Sequence, residues 1–152
     1  MNKIRISKEF HFEMAHALYG YNGPCKNIHG HSYRLAVCVK GTVINNGDDP
    51  KNGMVMDFSD LKKIVQSLVI DIFDHALLLN KNSPLKEVQL NKELFEKVIF
   101  VNYQPTCENL VLEIVSRIKT ALPVHLSLHH LKLHETVSSY SEWYSEDNRE
   151  KN

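Results

Sequence analysis

A two-residue alternation of apolar and polar side chains constrains the fold of this chain more than any other feature. From residue 3 to residue 16 the large apolar side chains share one parity, and a histidine ends the series: Ile4, Ile6, Phe10, Phe12, Met14 and His16. Successive side chains of a β-strand point to opposite faces, so the pattern predicts a half-buried strand with His16 on its apolar face. Residues 29–39 repeat the alternation with His29, His31, Tyr33, Leu35, Val37 and Val39. The turn-forming letters GYNGP between the two runs predict an antiparallel pair.

The middle of the sequence has the spacing of two amphipathic helices. Asp57 can cap the first helix, whose predicted apolar stripe is Phe58, Leu61, Ile64, Val65, Leu68 and Ile72. Thr106 can cap the second helix, which Pro123 would end. Two β-like runs follow, over 125–135 and 138–144, so the order ββααββ predicts an α+β domain with an antiparallel four-stranded sheet and both helices on one face. We expect this single domain to span residues 1–144 and a polar tail to occupy residues 145–152.

Composition narrows the class of protein. The 152 residues are 43% hydrophobic, which suits one domain with a sizeable core. Lys plus Arg and Asp plus Glu number 18 each, without a basic run, so we expect no nucleic-acid partner. No apolar run has the length of a membrane span or of a signal peptide, which predicts a cytoplasmic protein without a membrane partner. The three cysteines show no paired spacing, so a disulfide framework is not expected.

Histidines on two strands form a candidate metal site. His29 and His31 lie two residues apart in CKNIHGH, so on a strand they point the same way. His16 can reach the same face from the neighbouring strand. Three neutral imidazoles suit Zn²⁺ and leave a fourth tetrahedral position open, as in catalytic sites. The alternative is a set of hydrogen-bonded packing histidines at a strand end.

Other residues near these histidines are open to more than one interpretation. Cys25 lies in a turn-rich loop four residues before His29, where its thiol can act as base or nucleophile. It can also be a fourth zinc ligand that closes a structural site, or a small buried residue. Asp74 and His75 form either a proton relay or ordinary surface charge at a helix end.

Six segments, in order, resemble the 6-pyruvoyl-tetrahydropterin synthase family: FHFEMAH (10–16), CKNIHGHSY (25–33), GMVMDFSDLK (53–62), DHALLLN (74–80), PTCENL (105–110) and KLHET (132–136). The resemblance implies the tunnelling fold (T-fold) and a homo-oligomer, usually a hexamer, with active sites between subunits. It implies zinc ligands at His16, His29 and His31, a catalytic cysteine at Cys25 and a proton relay at Asp74 and His75. It also implies substrate contacts at Thr106 and Glu108, and a carboxylate at Glu135 that grips the amino-pyrimidine edge of a pterin.

The position of the cysteine separates branches of this family. Pyruvoyl-forming animal enzymes place the cysteine farther upstream of the HGH motif. The bacterial carboxy-forming branch places it at the same distance as Cys25 of this chain. The resemblance therefore implies a zinc-dependent lyase that converts 7,8-dihydroneopterin triphosphate to 6-carboxytetrahydropterin, acetaldehyde and triphosphate, a step toward queuosine and other 7-deazaguanine bases. One alternative is 6-pyruvoyl-tetrahydropterin synthase, which eliminates triphosphate without cleaving the side chain. The other is a non-catalytic zinc-binding structural module.

Overall fold

The computed structural model describes residues 2–86, 91 and 93–148. Its first two strands, β1 (Lys3–Ala17) and β2 (His29–Thr42), form the predicted antiparallel pair. Their register places His16 opposite His29 and Met14 opposite His31. From Phe10 to Met14 and from Tyr33 to Val39 the apolar residues of the predicted parity are buried in the main core, which confirms both alternating patterns there. At the start of β1, Ile6 is only partly buried and Ile4 is exposed. That parity carries the three histidines past the end of the apolar core on the same face.

The first helical region follows as α1 (Phe58–Val65), a π-helical turn (Gln66–Ile70) and a short α2 (Asp71–Phe73). Asp57 caps it as predicted, because its carboxylate accepts a hydrogen bond from the Ser59 N–H at 2.7 Å. Leu61 and Val65 of the predicted stripe are buried, Leu68 and Ile72 are partly buried against the core, and Phe58 is exposed. The most deeply buried residues after Val65 are Val69, Ile70 and Phe73, which the predicted stripe did not include. The wider π-helical turn shifts which side chains face the core.

The expectation of a four-stranded antiparallel sheet is wrong. Two further strands lie between the helical regions, β3 (Ala76–Asn80) and β4 (Val98–Val101). After them come α3 (Cys107–Ala121), β5 (Ser127–His134) and β6 (Tyr140–Tyr144). The result is one mixed six-stranded sheet in the order β4-β3-β1-β2-β5-β6. β3 pairs parallel to β1 and to β4, whereas the other neighbours are antiparallel.

The helices pack on the face that carries the main core, as predicted for an α+β arrangement. A smaller apolar cluster lies apart from this core. Leu77 and Leu79 of β3 form it with Ala17, and Leu85 and Phe95 pack against them. The segment between β3 and β4 therefore contributes side chains that cover β3, a role that the sequence pattern did not reveal.

Of the predicted tail, residues 145–148 form a turn after β6, and residues 149–152 lie outside the described residues. The Ser145 N–H donates a hydrogen bond to the His129 carbonyl at 3.0 Å. Across residues 2–86, 91 and 93–148, the helices lack the combination of length and hydropathy needed to cross a membrane.

Candidate active site

The three predicted metal ligands converge at one end of the β1–β2 pair. His16 and His29 face each other across the strand pair with their Nε2 atoms 3.1 Å apart. The ring centroid of His31 lies 5.1 Å from that of His16 and 5.0 Å from that of His29. One ligand nitrogen from each residue lies within 4.8 Å of the other two. This group has the size and composition to hold a metal ion.

Backbone carbonyls set the orientation of two of these rings. The Nδ1–H of His16 donates to the Pro105 carbonyl at 2.6 Å, and that of His29 donates to the Asn27 carbonyl at 2.7 Å. Each ring then presents an unprotonated Nε2 to the cluster, the usual second-shell arrangement of metal-bound histidine. Burial lowers the pKa of His16 and of His31 below the ordinary value, which favours the neutral, ligating form.

His31 supplies the strongest sign that a cation belongs here. Its Nε2 is buried and has no hydrogen-bond partner among the described residues. Buried polar atoms in native proteins are nearly always paired, and three converging imidazole nitrogens repel one another unless a cation or proton lies between them. The donor set of three neutral nitrogens fits Zn²⁺ with one open position.

A cavity of about 440 Å³ opens over this cluster. The predicted residues that line it are Cys25, Thr106, Glu108, Glu135 and the three histidines. They come from β1, the loop before β2, β2 itself, the start of α3 and the end of β5. The volume is in the range of small-molecule sites, so the fold places the predicted donors, thiol and carboxylates around one ligand-sized space.

Cys25 lies in a 3₁₀ turn (Pro24–Lys26) and is partly exposed to the cavity. Its carbonyl accepts a hydrogen bond from the Leu18 N–H at 2.9 Å, which ties the turn to the end of β1. The thiol is not a member of the histidine group. Cys107 also lines the cavity, but burial raises the pKa of its thiol and it donates to the Leu133 carbonyl. Of these two cysteines, Cys25 is therefore the one suited to reaction.

Glu135 follows β5 and points toward the histidines. Its Oε1 lies 3.7 Å from Nε2 of His16 and 3.9 Å from Nε2 of His31. The hydroxyl of Tyr33 donates to the same oxygen at 3.4 Å. The carboxylate thus lies beside the histidines in the lining of the cavity, where it can accept hydrogen bonds from a ligand or approach a metal.

Thr106 precedes α3 and Glu108 lies in its first turn, both at the cavity wall. Thr106 caps the helix as predicted, with its hydroxyl accepting from the Asn109 N–H at 3.3 Å. Glu108 is exposed in the first turn, where its charge favours the helix dipole. Both residues line the cavity.

The structure does not bring Asp74 and His75 into this cavity. They line a different pocket with residues 93–97. Asp74 Oδ2 lies 3.0 Å from Nδ1 of His75, so the two form a dyad, and the His75 side chain is 78% exposed. The N–H of Glu13 donates to Asp74 Oδ1 at 2.9 Å and lowers the pKa of that carboxyl. The dyad is formed, but within one chain it does not line the cavity that contains Cys25.

Tyr33, Ser139 and Ser141 are among the residues of the site that sequence reasoning missed. Tyr33 holds Glu135 and stacks on Phe12 with ring centroids 5.0 Å apart. Its parity on β2, equal to that of His29 and His31, was the available signal. Ser139 and Ser141 also line the cavity, from the β5–β6 turn and from β6. No local pattern marks them, because only the strand pairing brings them near the histidines.

Comparisons with known proteins agree with this geometry. The profile of the 6-pyruvoyl tetrahydropterin synthase family matches residues 5–146, and the chain belongs to that family. Over 142 residues it is 38% identical to a 6-carboxy-5,6,7,8-tetrahydropterin synthase from Haemophilus influenzae, covering 92% of this chain and 98% of that protein. An enzyme of the same name from Rickettsia felis is 28% identical over 91% of this chain and 99% of its own length.

Solved structures confirm the predicted fold family. The 6-pyruvoyl tetrahydropterin synthase of Caenorhabditis elegans superposes with a TM-score of 0.65 at 26% identity, over 95% of this chain and 96% of that one. An uncharacterised protein from Wolinella succinogenes has a TM-score of 0.77 at 19% identity, over 95% and 99% of the two chains. The chain therefore has the tunnelling fold, with the mixed sheet described above.

Proposed function

We propose that this protein is a 6-carboxy-5,6,7,8-tetrahydropterin synthase. It would convert 7,8-dihydroneopterin triphosphate and water to 6-carboxytetrahydropterin, acetaldehyde and triphosphate, in the cytoplasm and on the route to 7-deazaguanine bases such as queuosine. The observation that carries the proposal is the single cavity shared by three metal-ligating histidines, a partly exposed thiol and the Glu135 carboxylate. The relatives of the same name and the position of Cys25 before the HGH motif support the carboxy-forming branch.

Each group of site residues would have a separate role in the reaction. His16, His29 and His31 would hold the metal, which we propose to be Zn²⁺ because three imidazoles with an open position suit that ion. Bound there, zinc supplies Lewis acidity toward the hydroxyls of the substrate side chain. Cys25, as thiolate, takes a proton from that side chain. Thr106 and Glu108 contact the substrate at the cavity wall, and Glu135 accepts hydrogen bonds from a ring N–H and the exocyclic amine.

We further propose that the active enzyme is a closed homo-oligomer, a hexamer by family resemblance. The dyad of Asp74 and His75 does not line the cavity of its own chain, and the His75 side chain is largely exposed. A neighbouring subunit can bring an equivalent dyad to each cavity, where it would take up and return the second proton of the reaction.

Product analysis tests the proposed function. Purified, zinc-loaded protein given 7,8-dihydroneopterin triphosphate is expected to form 6-carboxytetrahydropterin and acetaldehyde in equal amounts. Formation of 6-pyruvoyl-tetrahydropterin without acetaldehyde would assign the chain to the pyruvoyl-forming branch. Failure to turn the substrate over at full zinc loading would favour a structural zinc module.

Replacing Glu135 with glutamine is expected to raise KM strongly while zinc content stays at the parent level. The amide offers one acceptor oxygen where the carboxylate offers two, so the paired contact to the pterin is lost. Metal analysis and steady-state kinetics measure the two quantities separately. Glu142→Gln is the matched control, since Glu142 lies on β6 and pairs with His130 and Lys132.

The position of Glu135 also defines the contrary outcome. Its oxygen lies within 4 Å of two histidine nitrogens, so the carboxylate can serve as a fourth metal ligand. In that case Glu135→Gln would lower zinc content, and KM measured at full zinc loading would stay near that of the parent.

Light scattering at micromolar concentration is expected to report an assembly of several subunits. β4 and β6 are the edges of the six-stranded sheet, and soluble proteins pair, cover or close such edges.

A mixture of two variants tests whether the active site is shared between subunits. Cys25→Ala and His75→Gln, each inactive alone, should regain activity when their subunits are exchanged into one oligomer. A monomeric parent, or mixed oligomers without activity, contradicts the shared site.

A further inference from the structure

Lys97 lies in the segment between β3 and β4 and contacts the Asp74–His75 dyad through the Asp74 carbonyl. It immediately precedes β4, and its carbonyl accepts a hydrogen bond from the Leu77 N–H at 2.9 Å. Its side chain runs back toward the end of α2. There the ammonium donates to the Asp71 carbonyl at 2.7 Å and to the Asp74 carbonyl at 2.8 Å. One residue thus joins β3, α2 and the dyad.

The two carbonyls that Lys97 binds lie at a helix end. The last carbonyls of a helix lack partners within it, and a positive charge there also complements the helix dipole. Lys97 therefore satisfies the Asp71 and Asp74 carbonyls and holds the backbone where the chain leaves α2 for β3.

That backbone has an unusual conformation. His75 is the residue with positive φ, +58°, among the non-glycine residues that the structure describes. A non-glycine residue is held in the left-handed backbone region only where surrounding contacts stabilise that conformation. Glu13 imposes it from one side, since its carbonyl accepts from the His75 N–H at 2.6 Å and its N–H donates to Asp74. Lys97 holds the same turn from the other side, through its hydrogen bond to the Asp74 carbonyl.

We propose that Lys97 is a positioning residue for the Asp74–His75 dyad. Its ammonium fixes the Asp74 carbonyl, and with it the turn that places the carboxylate 3.0 Å from Nδ1 of His75. Lys97 acts through the dyad and does not contact the substrate. The inference rests on the proposed function, in which the dyad transfers a proton.

The test compares Lys97→Met with Lys97→Arg, and uses Lys86→Met as control. Methionine keeps the length of the chain and removes the donors, whereas arginine restores a cation with several N–H groups. Lys86 is an exposed lysine on the segment between β3 and β4. In Lys97→Met we expect kcat to fall about tenfold to a hundredfold, as for misplacement of a catalytic group, with KM, zinc content and oligomer unchanged. Arginine should recover most of kcat, and Lys86→Met should match the parent.

NMR of the histidine rings separates this inference from the proposed function. The His75 resonances, assigned by comparison with His75→Gln, are expected to move in Lys97→Met and to return in Lys97→Arg. Unmoved resonances overturn the inference, as does loss of zinc or of the oligomer, since Lys97 would then be a general stabiliser. Moved resonances with kcat preserved in both Lys97→Met and His75→Gln would leave Lys97 as the support of the dyad and overturn the dyad's role in catalysis.

Discussion

Purified His31→Ala protein is expected to contain almost no zinc and to lack synthase activity. In the parent, three imidazole nitrogens converge within 4.8 Å, and removing one leaves two ligands. Loss of a second-shell partner alone costs about 10-fold to 100-fold in metal affinity, so loss of a direct ligand should cost more than about 100-fold. Metal analysis after dialysis against a weak chelator measures the effect, and circular dichroism checks that the fold is kept.

His125→Ala is the matched control for this experiment. His125 is exposed before β5 and lies outside the cluster, so its variant should keep the zinc content and activity of the parent. Full zinc occupancy in His31→Ala would contradict the assignment of the metal site. The orphaned Nε2 of His31 would then need another partner, such as an ordered water.

Replacing Cys25 with alanine is expected to abolish carboxypterin formation and to leave zinc and oligomer unchanged. Loss of a general base typically lowers the rate about 10²-fold to 10⁴-fold. Zinc should remain, because the thiol is not part of the histidine group that holds it. Substrate turnover, metal content and light scattering on the same preparation give the three readouts.

Cys38→Ala controls for the loss of a thiol. Cys38 is buried within β2, away from the cavity lining, so its variant should retain activity. The rival interpretation makes Cys25 a fourth zinc ligand. It requires zinc loss in Cys25→Ala and a sulfur neighbour near ~2.3 Å in metal-edge spectroscopy of the resting parent. Those two results together would contradict the catalytic role of Cys25 and would indicate a closed structural zinc site.

Strand parity predicted most of the histidine cluster. Side-chain direction in a strand follows from the backbone, so the common parity of His29 and His31 already places them side by side. His16 required one further step, the antiparallel pairing of β1 and β2, which the loop between them indicated. The helix caps at Asp57 and Thr106 were also predictable, because capping depends on residues two or three positions away.

The pairing of β3 and β4 could not be predicted in the same way. Ala76 and Leu78 pack in the main core, whereas Leu77 and Leu79 pack in the second cluster on the other side. A strand buried on both faces has no alternation, so its pattern cannot be distinguished from that of a buried helix. Its place beside β1 depends on parallel pairing with residues far away in the chain.

Contacts between residues distant in sequence also decide how the site is assembled. The six family-like segments occur in the expected order along the chain, but this order does not show which of their residues share a cavity. Register between β2 and β5 brings Glu135 to the histidines and to Tyr33, a residue more than a hundred positions away. The turn between α2 and β3, which Glu13 and Lys97 contact through hydrogen bonds, places the Asp74–His75 dyad outside the cavity that Cys25 lines. Local pattern sets the direction of a side chain within its own element, whereas the packing of whole elements sets which side chains meet.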